Sequence, residues 1–494
     1  MPAGTAKDRP AGAGVRPLSL VEALVPIVAL ALLIVASVLL FGDAGLYGPN
    51  QIALVLAGMI ATLVARRAGH SMAEMNRAAI DSVSSGIGAI FILFAVGALI
   101  GTWAISGTLV AMVYYGIKIL SPHYFPLSAF LVCALVSTCL GSSWTTAGTI
   151  GIGLMGMAIS MGTDPAITAG AIISGAYVGE MISPLSDTGN LAAGAGGVDL
   201  YAHLREAALP TAIAVALAVG IYWLLSSPIE PQLGDEIAAI EANFPMTPWL
   251  FLPLAVVAAM ALLRASPFTT IMTGALVGVA VAVIVAPGRI AAFADPAGAL
   301  ARPIAVVKGV WLVLASGYVS RTGHPMLDTL TSRGGMDSML ETVWLIIAAL
   351  AFGGVVEKAG VLSRLIEPVI AGVRSAAAMV AALVGAVIAT NIVAADHYMA
   401  LVLPARMFRQ AVAKLGYAPV VLTRTVAAAA TPTSALIPWN SCGAFMAAAL
   451  GVSTLAYAPF AVFNIASPLA AILVAALNIR MPKATAVPDE RSPG

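Results

Sequence analysis

Apolar residues in this chain fall in long stretches rather than in alternation, a pattern that predicts helices. Met1–Arg16 is polar, with Lys7, Arg9 and Arg16, and an apolar run from Leu18 to Phe41 follows. That run is long enough for a hydrocarbon core of about 30 Å. It exceeds a signal-peptide core of roughly 7–15 residues, so it reads as a retained first span. A second run, Gln51–Ala65, stops at Arg66 and Arg67. Further runs are Ile87–Ile105, Leu127–Leu140, Ile150–Met161, Ala166–Met181, Ala207–Leu225, Trp249–Leu263 and Pro267–Ala286. The last are Ser338–Val356, Ala376–Ala395, Met399–Met407, Thr433–Val452 and Ala456–Leu477. Several are shorter than a crossing and are interrupted by Gly, Pro or polar clusters. Such interruptions are tolerated at membrane depth only where the loose backbone is buried in protein or lines a cavity.

Composition turns this pattern into a class. Hydrophobic residues make up 60% of the 494 positions and charged residues only 10%, against about 25% charged in a soluble domain. Aromatics, at 6%, are too few for the girdles of an outer-membrane barrel. The expectation is an all-α polytopic membrane protein with the lipid bilayer as its main partner. Twenty-four Lys+Arg against 23 Asp+Glu leave a net charge of +1, so no nucleic acid is expected. Cys133, Cys139 and Cys442 all sit in apolar runs, which argues against a disulfide framework. Positive residues flank the first hairpin, and Arg480, Lys483 and Arg491 follow the last run. Both termini are therefore expected in the cytoplasm.

The organisation expected is a tail over 1–17, a membrane half over 18–225, an external acidic linker over 226–247, a second half over 248–479 and a cytoplasmic tail over 480–494. The linker carries Glu230, Asp235, Glu236 and Glu241. The halves resemble each other: Gly101, Gly107 and Leu109 fall 253 positions before Gly354, Gly360 and Leu362. The same offset lays Ser143 on Asp396 and Asp187 on Asn440. Weak internal symmetry with broken helices at matching positions is the sign of a secondary transporter.

Four polar segments carry the chemistry. The first half has Gly141-Ser-Ser-Trp-Thr-Thr146 and Glu180-Met-Ile-Ser-Pro-Leu-Ser-Asp-Thr-Gly-Asn190. The second has Asn391–Tyr398 and Ile437-Pro-Trp-Asn-Ser-Cys442. They supply hydroxyls, amides and carboxylates, the oxygen ligands a small hard cation wants. A carboxylate at bilayer depth costs at least about 2.5 kcal/mol on insertion scales. That cost makes Glu180, Asp187, Asp396 and Glu357 functional candidates. Each also has a plainer reading: Asp187 as a helix cap, Glu180 in an ion pair, Asp396 paired with His397, Glu357 paired with Lys358. His397 reads first as a hydrogen-bonded structural imidazole. The expected ion- and proton-binding set is Asp187, Asp396, Glu180, Ser142, Ser143, Thr145, Ser186, Thr188, Asn190 and Asn440, with Asp187 and Asp396 holding the transported cation.

Gly151-Ile-Gly153-Leu-Met-Gly156 matches a dinucleotide fingerprint but lies in an apolar run without a preceding strand. It reads as helix-packing glycine, like Gly175 and Gly179. No His-Glu, Gly-Lys or GxSxG element occurs, so neither an enzyme nor a resident cofactor is expected.

Gly141–Thr149, Gly170–Tyr177 and Ser183–Thr188 with Asn190 and Leu191 resemble the NhaC-type sodium/proton antiporters. So do Ser332–Met339, Ala351–Gly354, Leu403–Phe408 and Ile437–Gly443. The resemblance runs from about Leu99 to Pro468. It implies an inner-membrane exchanger with two inverted repeats and re-entrant hairpins meeting at the midplane, moving Na+, and Li+ as its close mimic, against H+. It departs from the family pattern at Glu180, where Asp is usual, and at Gly189 and Ala435. A homodimer is left open. The rival expectation is a cation- or proton-coupled exchanger of a small organic acid or amino acid, with Arg406 and Arg424 as anion-binding candidates.

Overall fold

The computed structural model describes residues 15–41, 48–226 and 234–484. Lys7, Arg9, the loop 42–47, Glu230 and Arg491, on which part of the topology and linker reading rests, lie outside these residues. The first half contains α1 Leu20–Phe41, α2 Pro49–Arg67, α3 Met72–Ser85, α4 Ile87–Ser106, α5 Thr108–Ile119, α6 Phe125–Leu140, α7 Ser143–Thr146, α8 Ile152–Ser160, α9 Pro165–Ile182, α10 Asp187–Gly196 and α11 Leu200–Leu224. Then come α12 Gly234–Asn243, α13 Leu252–Leu262, α14 Pro267–Val285, α15 Pro287–Ala294, α16 Arg302–Ser316 and α17 Pro325–Thr331. The chain ends with α18 Leu340–Lys358, α19 Val361–Ala371, α20 Ala376–Ala394, α21 His397–Lys414, α22 Pro419–Ser434, α23 Ser441–Leu450, α24 Thr454–Tyr457 and α25 Val462–Ala476. Among the described residues nine helices are long and apolar enough to cross a membrane, or up to eleven if two sharply bent pairs each count as one span. The protein is an all-α polytopic membrane protein.

Two compact units cut across the sequence halves. The first takes residues 1–85 and 347–372, the second 86–346 and 373–494. In the first, α1 packs along α2 and against α19. Ser71 and Glu74 form a reciprocal cap at the start of α3, with Ser71 N–H to Glu74 at 2.9 Å and Glu74 N–H to Ser71 Oγ at 3.1 Å. Glu357 belongs to this unit, whereas every other candidate site residue belongs to the second.

In the second unit α6 and α9 meet over glycines. A Cβ on Gly175 would lie 2.3 Å from the Phe130 carbonyl oxygen, and one on Gly179 would lie 2.2 Å from Ser137 C. The packing reading of these glycines holds. The fingerprint-like run is likewise contact surface, Gly153 facing Met112 and Gly156 facing Leu330. Gly334 and Gly335, both left-handed, press against α4, and Gly335 N–H donates to the Gly97 carbonyl at 2.7 Å.

Helix boundaries show the repeat and correct its register. Left-handed Gly107 ends α4 and left-handed Gly360 precedes α19, 253 positions on. Beyond them the offset becomes 254. Left-handed Gly141 and Ala395 end α6 and α20, and Ser142 and Asp396 cap α7 and α21. Pro165 and Pro419 open α9 and α22, and Ser186 and Asn440 cap α10 and α23. Gly197 and Gly451 end those helices, and Asp199 and Ser453 cap the next. One extra residue between Gly360 and Ala395 makes the difference. Asp396 therefore corresponds to Ser142 rather than Ser143, and Asn440 to Ser186 rather than Asp187.

Three other expectations shift. The run Thr433–Val452 is two helices, because Pro438 removes a donor and the chain turns between Ser434 and Ser441. The run Ile150–Met161 extends back to Ser143 through a π-helical stretch, Ala147–Gly151. The acidic linker contains a helix, α12, whose Glu241 accepts a 2.5 Å hydrogen bond from Tyr114.

Candidate functional site

Each polar segment proves to be a place where one helix stops and another starts. Gly141 breaks α6 because it is left-handed, and Ser142 then caps α7, accepting from Thr145 N–H at 3.2 Å and from the Thr145 hydroxyl at 3.1 Å. Pro184 stops α9, and Ser186 caps α10 by accepting from Gly189 N–H at 3.2 Å. Asp396 caps α21 through Tyr398 N–H at 3.1 Å. Asn440 caps α23 through Cys442 N–H at 3.1 Å. Side chains of the N-cap type are present because each new helix has orphan donors to satisfy.

The breaks meet in pairs. A Cβ on Gly141 would lie 2.9 Å from Ser186 N, so the first two breaks touch directly. Ser441 N–H donates to the Ala395 carbonyl at 3.0 Å, and the Asn440 amide donates to the Asn391 carbonyl at 3.1 Å, joining the other two. Across the pairs, the Tyr398 hydroxyl donates to Asp187 at 2.5 Å. Trp144 stacks on Phe445 with ring centroids 4.2 Å apart.

Glu180 lies inside this junction, 5% exposed. One of its oxygens accepts from Ser143 N–H at 3.3 Å and the other from the Thr188 hydroxyl at 3.2 Å. The Thr188 hydroxyl also sits 2.9 Å from Ser186 Oγ, and Thr188 N–H donates to Asp187 at 2.9 Å. Thr188 thus links the two carboxylates. The Ser143 hydroxyl is buried with no hydrogen-bond partner, an oxygen free to turn toward a ligand. Asp187 is exposed and lines a cavity of about 380 Å³ with Ser142, Thr145 and Asn190. Asn190 also donates to the Ser186 carbonyl at 2.7 Å.

Of the predicted residues, the structure brings together Glu180, Asp187, Ser142, Ser143, Thr145, Ser186, Thr188 and Asn190. Asn440 faces Asn391 instead, and Asp396 caps its own helix beside His397, 3.7 Å away. Arg406 and Arg424 fall outside the site. Arg424, ten residues or about 15 Å before the end of α22, pairs with Glu206 at 3.2 Å, and Arg406 is exposed. The cation that does line the cavity is Arg264, which the sequence reading passed over. It occupies a left-handed position (φ 62) after α13 that glycine would normally fill. Its signal is a lone charge, Leu262-Leu-Arg-Ala-Ser-Pro267, between two apolar runs. Tyr398 was visible only as part of a polar break; nothing in the sequence announces its reach to Asp187.

Discontinuous helices whose ends converge on buried and cavity-lining carboxylates define a secondary transporter of small charged solutes. The sequence pattern described as the Na+/H+ antiporter family matches residues 16–227 and 298–479, and the chain belongs to that family. It is 33% identical to the Na(+)/H(+) antiporter NhaC of Alkalihalophilus pseudofirmus, over 89% of this chain and 93% of that one. It is also 32% identical to the arginine/ornithine antiporter ArcD of Halobacterium salinarum, over 92% and 91%. A malate-2H(+)/Na(+)-lactate antiporter of Bacillus subtilis is 31% identical, over 83% and 86%. These relatives are antiporters, not enzymes. The stretch 228–297, which contains Arg264, is outside the family match.

Proposed function

We propose that the protein exchanges Na+, with Li+ as a mimic, for H+ across the inner membrane, and that Glu180 is the carboxylate the two ions share. Asp187 is the entry carboxylate on the cavity. The observation that carries this reading is a buried acid whose hydrogen bonds come from a peptide N–H and a hydroxyl and which forms no ion pair with a Lys or Arg among the described residues. A charge so placed is expensive unless neutralised. A proton neutralises it, and so does a dehydrated Na+ held by Glu180 with the Ser143, Ser186 and Thr188 oxygens. Loaded either way the site can reorient; empty and negative it is penalised, which couples the two fluxes.

Everted vesicles carrying a pH-sensitive dye test this. Adding NaCl should collapse part of an imposed proton gradient without any organic solute. Glu180→Gln should abolish the response, and Asp187→Asn should weaken or abolish it at matched expression. Because proton and cation compete for one carboxylate, the apparent KM for Na+ should rise as pH falls, by up to about tenfold per unit. A Na+ KM independent of pH would refute the shared carboxylate. A gradient that collapses only when an amino acid or organic acid is added would favour the rival solute class.

A further inference from the structure

The corrected register compares the two repeats residue by residue around the ion site, and the comparison is lopsided. At an offset of 254, Ser143 corresponds to His397, Glu180 to Ser434, Thr188 to Cys442 and Asp187 to Ser441. The six matched boundaries from Gly141 and Ala395 to Asp199 and Ser453 run on both sides of all four pairs, so the correspondence does not depend on sequence similarity. Resting on the Na+/H+ reading above, we infer that the protein holds one Na+ per chain, in the first repeat, and that His397, Cys442 and Ser434 close the equivalent place in the second.

The chemistry of the two places differs at each position. In the first repeat the ligand set is oxygen throughout: the Glu180 carboxylate, the Thr188 hydroxyl and the unpartnered Ser143 hydroxyl. Na+ is a hard cation and takes such oxygens. In the second repeat the carboxylate is replaced by Ser434, whose hydroxyl is already donated to the Thr431 carbonyl at 2.7 Å. The hydroxyl of Thr188 is replaced by a thiol. The small Ser143 is replaced by an imidazole whose Nδ1 lies 3.2 Å from that thiol, Cys442 Sγ. All three side chains are buried. A bulky ring therefore stands where the first repeat leaves an oxygen unpartnered, the remaining donors are soft or already engaged, and a hydroxyl occupies the position of the Glu180 carboxylate. The nearest carboxylate, Asp396, is the counterpart of the capping residue Ser142; it caps α21 in the same way and lies 3.7 Å from the imidazole. The inference concerns space and ligand type and holds for either protonation state of the imidazole.

Equilibrium binding of radioactive Na+ to the purified full-length protein, with Na+-activated proton flux in proteoliposomes, tests this. One Na+ per chain and a Hill coefficient of about one are expected. Two Na+ per chain alongside normal exchange would overturn the inference while leaving the Na+/H+ reading intact. Absence of both Na+ binding and Na+-driven flux would sink both. Two variants test the residues. Ser143→His, which introduces the closing ring into the first repeat, should abolish Na+ binding in protein that still elutes as a folded species; retained binding would overturn the role given to His397. His397→Ser combined with Cys442→Thr and Ser434→Glu should bind a second Na+ and raise the Hill coefficient, and a folded triple variant that still binds one would overturn the assignment of these three as the closure.

Discussion

At the scale of single residues, position relative to helix ends decides what each polar side chain does. Ser142, Ser186, Asp396 and Asn440 all spend one oxygen on a helix N-terminus, so the capping and functional readings of such residues are not alternatives. Glu180 differs: it belongs to a helix distant in sequence from the N–H it meets, and its two oxygens face the first peptide N–H of α7 and a hydroxyl. Arg264 brings a positive charge to the wall of the cavity that Asp187 lines. A like charge there opposes cation entry. Arg264→Gln should lower the apparent KM for Na+ a few-fold on the membrane side to which the cavity opens, leave the maximal rate near its original value, and show a smaller difference at high ionic strength. Flux measured from both sides of oriented vesicles checks this; an unchanged KM on both sides would remove Arg264 from the account of ion entry.

At the scale of elements, the site is held by close helix contacts that depend on the absence of side chains. Packing between α6 and α9 brings the two first-half breaks together, and Gly179 sits against the backbone of Ser137 and Thr138. Gly179→Ala would place a methyl where no flexible group can yield, so the helices must separate, at roughly 1–3 kcal/mol or more. Gly194 in α10 has open space around its missing Cβ, and Gly194→Ala should be neutral or stabilising by up to about 1 kcal/mol. Thermal unfolding in detergent should show Gly179→Ala melting earlier and Gly194→Ala at or above the parent. The reverse order would contradict the packing described. The α4–α14 contact follows the same rule through Gly274 and Gly278.

At the scale of the whole molecule, the two repeats differ in charge at matched positions: the first carries Glu180 and Asp187, the second carries Ser434 and Ser441 in their places. The two compact units do not follow the repeat, since residues 347–372 join the N-terminal helices. Topology is the molecular property most open to direct test. Positive residues flank the first hairpin and follow the last helix, so both termini should be cytoplasmic. A reporter fused after Gly494 should be active only as a cytoplasmic fusion, and periplasmic activity would reverse the orientation.

The sequence by itself determined the class and most of the helices, because hydrophobic span length and the scarcity of charge leave a lipid-embedded chain few solutions. Leu18–Phe41, Ala166–Met181 and Ala376–Ala395 reappear almost unchanged as α1, α9 and α20. It also marked all four breaks, since clustered hydroxyls, prolines and carboxylates stand out against Ala, Val and Leu. Amphipathic α3 and short α5 were not legible, lacking a long apolar run. What the tertiary structure decided is which break meets which. The repeat register was off by one beyond Gly360 because one extra residue separates it from Ala395, and only left-handed residues and caps reveal the insertion. That Glu180 is enclosed while Asp187 lines a cavity, that Tyr398 reaches across 211 positions, and that Arg264 rather than Arg406 or Arg424 lines that cavity all depend on contacts between distant segments. Local pattern carries no record of those contacts, because burial is a property of the neighbours that packing supplies.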